Sequence, residues 1–442
     1  MQTVGQMRTG SGASLGRAGA VLALTGAALL AGGCMVKETR PLPKVNAIQA
    51  QAEIPANELL DVGVRVFDPG IPAEIANDPE ELTDKGIFPD VRRAEARHLA
   101  MNLRDTLEGS GQWGAVRVTP ANAEFIDLVI SGKIVQSSGK LLKLQVAARD
   151  STGRVWLEQK EYEQQADVGS YLSEAAIKLR DPFQNIYSQI ANDILAARRK
   201  LTSTDLVGIR RITEMRFAND LAPQAMTGYL SQDAKGHYQL ARLPADGDPV
   251  LDRIQRIRDR DGALIDTVSD YYGNFSQRLD DPYDNWRRYS YEEIVKEEKL
   301  KSQARTRMIM GAAAIVGAVL IPSQCHPYDY NCRRIEGAAR TAAAGGGIAG
   351  IVSGLKKSAD AKVHTSAIRE LASSFQSEVA PQVVEVEGRT LKLTGTAEEQ
   401  YRQWREMLRE QYLEETGGVG AQAATDTGNP AQTPSSTPTT SR

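Results

Sequence analysis

The chain has 442 residues, 41% hydrophobic and 25% charged, which is the balance of a globular protein rather than a fibrous or disordered one. Its formal net charge of −3 argues against nucleic acid as a partner, because phosphate binding needs a concentrated basic face. At about 100 to 200 residues per domain, the length allows two or three domains after any leader.

Arg8 and Arg17 precede an apolar stretch from Ala18 to Leu30, which ends in Ala31, Gly32, Gly33 and Cys34. A basic start, a short apolar centre and small residues before a cut describe a secretory signal peptide over residues 1–33. The run is shorter than the roughly 20 residues of a spanning helix. Its end, LLAGGC, resembles the lipobox of bacterial lipoproteins, with Ala31 where leucine is usual and Leu30 beside it. That resemblance implies that Cys34 is acylated, as with palmitate, and becomes the first mature residue. Met35, standing where an aspartate would retain such a protein in the inner membrane, implies the outer membrane, with the chain facing the periplasm. Buried acyl chains contribute about 0.8 kcal/mol per methylene. Cys325 and Cys332 remain, an even pair in an exported chain, and read as one disulfide. A zinc site from Cys325, His326 and Cys332 would need a fourth ligand such as Asp329, and adjacent Cys and His rarely reach one tetrahedral ion.

Residues 34–57 are polar, with three prolines and no period, and read as a tether from the lipid anchor. An α+β domain is expected over 58–166. In LLDVGVRVFD (59–68), Val62, Val64 and Val66 alternate as in a strand. Ala96, Leu99, Leu103 and Leu107 then fall at helical spacing, stopped by Gly109 and Gly111. Strands follow at AVRVTP (115), FIDLVISGKIV (125), LLKLQVAARD (141) and VWLEQKEYEQ (155), with Asp150 and Gly153 marking a turn. The order β-α-β-β-β-β predicts a mostly antiparallel sheet with helices on one face. The runs L..SGQWGAVRV, DLVISGKIV and D.TGRVW resemble the periplasmic domain of the curli-secretion channel lipoprotein and lipoproteins that activate peptidoglycan synthases. The likeness covers about 59–165 and implies binding and assembly rather than catalysis.

A long helical middle is expected over 172–305. Asp181 and Pro182 cap a helix whose stripe is Phe183, Ile186, Ile190 and Ile194, and further helices are predicted at 204–220, 248–277 and 291–307. Between the last two, YYGNFSQRLDDPYDNWRRYSYEE carries Tyr283, Asp284 and Trp286. These residues either line a sugar-binding groove, with Asp280, Asp281 and Asp284 as hydrolase-like carboxylates, or anchor a bend at Pro282. No G-x-S-x-G, Walker loop, H-E-x-x-H or paired CxxC is present, so no catalytic residue, metal or cofactor is expected.

Residues 308–321 and 341–355 carry no charge, and residues 306–357 read as a glycine-zipper hairpin. Ala338, Ala342, Gly346, Gly350 and Gly354 recur every four positions, a small-residue stripe that lets helices approach closely. Gly311, Gly317, Gly346, Gly350, Gly354, Tyr328 and Tyr330 are its candidate contacts with a membrane or with another subunit. A soluble packed hairpin and a disordered linker are the alternatives, because each arm is short for a hydrocarbon core of about 30 Å. A small α-β-β-α unit is expected over 358–415, with Thr396 and Glu399 as a capping box, and a disordered tail over 416–442. The whole reads as a non-enzymatic outer-membrane lipoprotein. Its role would be a scaffold or subunit of an envelope export or biogenesis complex, homo-oligomeric and bound to other envelope proteins or to peptidoglycan. The competing reading is a cell-wall-binding or cell-wall-cleaving protein.

Overall fold

A computed structural model describes residues 42–242, 245, 247–320, 382–386 and 389–416. Strand β1 (Val62–Arg65) is followed by a short helix α1 (Pro79–Asp84) and the long helix α2 (Pro89–Glu108). Then come β2 (Val116–Thr119), β3 (Leu128–Ser137), β4 (Leu141–Asp150) and β5 (Val155–Gln165). The strand order is β2-β1-β3-β4-β5. β1 pairs in parallel with both neighbours, Val62 lying opposite Val116 on one side and Leu128 on the other. The β3–β4 and β4–β5 pairs are antiparallel. The sheet is therefore mixed, a correction to the mostly antiparallel expectation. Strand periodicity selects a buried face but says nothing of a neighbour's direction, and α2 carries the chain across to return β2 parallel to β1.

Alternation decides the buried face. Leu142, Leu144, Val146 and Ala148 of β4 all point inward, as do Val62 and Val64 of β1. Against that face packs α2, with Ala96, Leu99, Leu103 and Leu107 buried as the helical spacing predicts. Gly132 of β3 lets the Phe67 ring lie against the backbone, where a Cβ would sit 2.7 Å from it.

Beyond the sheet come α3 (Glu174–Leu179), α4 (Gln184–Arg198) and α5 (Ser203–Leu221). Asp181 accepts the Phe183 amide at 2.7 Å in the turn ahead of α4. Phe183 itself is the N-cap and has no side-chain cap bond, so the expected Asp181–Pro182 cap falls just outside the helix, while Phe183, Ile186, Ile190 and Ile194 are buried. The helical middle also contains an unexpected ribbon, β6 (Leu230–Gln232) with β7 (Tyr238–Leu240). Its turn is held by Asp233, which accepts the amides of Lys235 and His237.

One 72-residue helix, α6 (Pro249–Leu320), replaces the two expected at 248–277 and 291–307, and Pro282 lies inside it. Proline costs about 3 kcal/mol in a helix interior. Leu279, Tyr283, Trp286 and Arg287 on either side are all buried, and their packing holds the helix through that position. A C-terminal hairpin, β8 (Gln382–Val386) with β9 (Arg389–Leu393), leads to α7 (Ala397–Glu415), which begins with the expected Thr396–Glu399 capping box. The first helix of the α-β-β-α unit expected over 358–415, ahead of this hairpin, lies outside the described residues.

The described residues from Lys44 onward form one compact unit. A continuous hydrophobic core links Leu60 of the sheet region to Tyr412 of α7, so elements from 58–166, 172–305 and 358–415 share it. No helix among the described residues is long and apolar enough to cross a membrane.

Candidate functional site

The densest polar chemistry lies where α6 crosses α2 and the end of β3. Glu95 of α2 is fully buried, and its Oε1 accepts from Ser137 Oγ at 2.7 Å and from Tyr283 OH at 2.9 Å. Three elements meet on that one carboxylate oxygen. The other oxygen, Oε2, faces Arg92 Nε at 3.8 Å. Burial pushes the Glu95 carboxyl up, while Arg92 and the two hydroxyls pull it down.

One turn along α2, the His98 ring meets Tyr283 edge-on at 5.0 Å. Its Nε2 takes the Asn102 amide at 3.1 Å, which leaves the proton on Nδ1, 2.8 Å from Ser276 Oγ. Burial lowers the imidazole to about 4, so the ring is neutral at ordinary pH. Asp280 Oδ1 also lies 3.6 Å from Nδ1. Burial, together with the nearby Asp284, raises the Asp280 carboxyl to about 6.

A serine, a histidine and an aspartate thus come together, but not as a nucleophilic relay. Such a relay needs the hydroxyl on one ring nitrogen and the carboxylate on the other. Here both approach Nδ1, and an amide holds Nε2. The groove outside, about 430 Å³, is bordered by Asn102, Asp105, Ser276, Gln277 and Asp280.

Arg287, almost fully buried, completes the crossing. Its guanidinium donates to Asp181 at 2.8 Å and Asp284 at 2.6 Å, and it stacks on the Tyr283 ring at 4.5 Å. Asp181 therefore accepts the Phe183 amide ahead of α4 with one oxygen and holds α6 with the other. The β3–β4 turn presses on the same stretch of α6, with Gly139 N donating to Ser290 Oγ at 3.3 Å.

This geometry locates the residues named for a glycan. Tyr283 is 1% exposed and Trp286 7%, stacked on each other at 5.8 Å, with Phe88 against Trp286. A sugar stacks on an open aromatic face, and the Tyr283 faces are covered by Trp286 and Arg287. Asp284 is engaged by Arg287, and Asp281 pairs with Lys178 at 3.0 Å on the surface. Gly311 and Gly317 lie in the last turns of α6. Cys34, Cys325, Tyr328, Tyr330, Cys332, Gly346, Gly350 and Gly354 lie outside the described residues. Among the described residues, no group of three His, Cys, Asp or Glu could hold a metal ion.

Sequence reasoning passed over Glu95 and Arg287. The available signal was Arg92 and Glu95 interleaved with the apolar stripe of α2, where an amphipathic surface helix would place neither. Compared with protein-family models, curated proteins and solved structures, the chain matches none.

Proposed function

We propose that the protein is an outer-membrane lipoprotein anchored through Cys34, which works without catalysis as a homo-oligomeric scaffold or subunit of an envelope export or biogenesis complex. The observation that carries this reading is the course of α6. The helix is built into the core at Tyr283 and Arg287, and its Glu298 pairs with Lys140. It then continues to Leu320, about 33 Å further at 1.5 Å per residue, and its last turns are the uncharged residues 308–320. An element clamped at one end and apolar at the other suits transmission of force or position between the body and a membrane or a second subunit. The LLAGGC leader and the resemblance of 59–165 to assembly lipoproteins point the same way.

Deleting 308–355 in a Cys34→Ser background tests the reading. The deletion should lower membrane partitioning and oligomer size relative to Cys34→Ser alone. Identical behaviour of the two chains would remove α6 and its hairpin from the mechanism.

A further inference from the structure

Leu172 and Leu179 are 81% and 88% exposed, while the other large apolar side chains that reach the surface are each under half exposed among the described residues. They bracket α3, whose cap Ser173 accepts the Ala176 amide at 3.1 Å. Ile177 is the buried residue of that helix. At about 100° per residue, Leu179 lies some 200° round from it and points away from the body. Two leucines are thus held in water by a short, capped helix anchored through Ile177.

The next residue, Arg180, connects this segment to the start of the compact unit. Its guanidinium donates to Val45 O at 3.0 Å, to Asn46 Oδ1 at 3.3 Å and to Asn185 Oδ1 at 2.7 Å. Asn185 Oδ1 also accepts the Val45 amide at 2.9 Å. The chain from Cys34 therefore joins the body directly beside Leu179. Ten residues separate Cys34 from Lys44, and a fully extended chain spans at most about 3.6 Å per residue, roughly 36 Å in all. Tyr171, just before Leu172, lies 5.1 Å from Tyr291 of α6, so the helix leaves the body at the same end. Lys44, next to the Val45 that Arg180 holds, is exposed and adds a positive charge there.

We infer that Leu172, Leu179 and exposed Lys44 form a surface that rests on the phospholipid leaflet carrying the anchor, the leucines among the acyl chains and the Lys44 ammonium at the anionic headgroups. The inference rests on the proposed acylation of Cys34, which brings the leaflet within reach. The surface fixes the orientation of the body, so that the lipid provides attachment and the leucines provide alignment.

Hydrogen exchange on the full chain, bound to vesicles of phosphatidylethanolamine and phosphatidylglycerol, tests it. Amides of 168–181 should exchange roughly tenfold more slowly on vesicles than in the Cys34→Ser chain in solution, with β6 and β7 unchanged. Leu172→Ser with Leu179→Ser, both exposed and so harmless to the fold, should abolish that protection without releasing the chain. Unchanged exchange at 168–181 on the bound chain overturns the proposal. Protection that appears in solution and grows with protein concentration also overturns it, and assigns the leucines to a second copy. The mass of the peptide containing Cys34 reports acylation separately. If Cys34 is not acylated, coupling it to a maleimide phospholipid, in a chain with Cys325→Ser and Cys332→Ser, anchors the protein and gives the same readout.

Discussion

Glu95 and His98 lie one turn apart on α2 and respond to burial in opposite senses, the carboxyl pushed up and the imidazole down to about 4. For His98 the unfolded chain, with a value of 6.5, takes up the proton first. Its contribution to stability is therefore complete above pH 6.5, falls as pH drops toward 4 and levels off below that, amounting to roughly 3 kcal/mol. Asp280 acts in the opposite direction, because a carboxyl raised to about 6 costs stability as it ionises with rising pH. Urea midpoints followed from pH 7.5 to 4 should fall less in His98→Gln than in the natural chain. Parallel curves would show that the ring is not desolvated. At Glu95, the uncharged isostere keeps the acceptor for Ser137 and Tyr283 but leaves buried Arg92 without its carboxylate, so Glu95→Gln should cost about 1 to 2 kcal/mol. Glu95→Ala, which strands both hydroxyls, should cost about 2 to 4 kcal/mol in the same unfolding measurement.

Among the elements, α6 shows how packing overrides a local signal. The sequence around Pro282 reads as a break, and an isolated peptide of these residues would bend there. The structure carries the helix through because α2, the Asp181 loop and the β3–β4 turn hold consecutive turns of it. Gly139 is the closest of these contacts. A Cβ there would lie 1.9 Å from Arg287 O and 2.5 Å from Tyr291 N, both backbone atoms that cannot swing aside. Gly139→Ala should destabilise by about 1 to 3 kcal/mol. It should also speed amide exchange in residues 285–295 before other parts of α6 respond. A variant with native stability and exchange would mean that the turn does not press on the helix. The strands of 59–165 and α2 were legible because their alternation or helical spacing is bounded by turn residues such as Gly109, Gly111 and Gly153, and α4 because of its Phe183, Ile186, Ile190 and Ile194 stripe. Helix α1 was not, since six residues show less than two turns of a period. The β6–β7 ribbon was not, since three-residue strands carry too few positions to show a period.

In the molecule as a whole, α7 ties the C-terminal end into the body. Its Arg405 pairs with Asp220 of α5, lies 3.7 Å from buried Asp261 of α6, and stacks on Phe217 at 4.4 Å and Phe125 at 5.0 Å. Tyr401 adds a hydrogen bond to Asp261 at 3.1 Å. Arg405→Ala leaves Asp261 buried without its cation and should cost about 3 to 5 kcal/mol. Because the core is shared, the loss should appear as one lowered transition rather than separate melting of the C-terminal end. Two resolved transitions in calorimetry would contradict that coupling. Local periodicity, caps and turn residues were enough to place β1, α2, the four following strands, α5 and the β8–β9–α7 end, because each is set by neighbours within a few residues along the chain. Only the tertiary structure decided that β1 lies parallel to β2 and β3, that α6 is continuous, and that Tyr283 and Trp286 face inward. Those outcomes depend on partners far along the chain, such as Val116 for Val62 and Glu95 for Tyr283, and no period along the chain records which distant surface a side chain will meet.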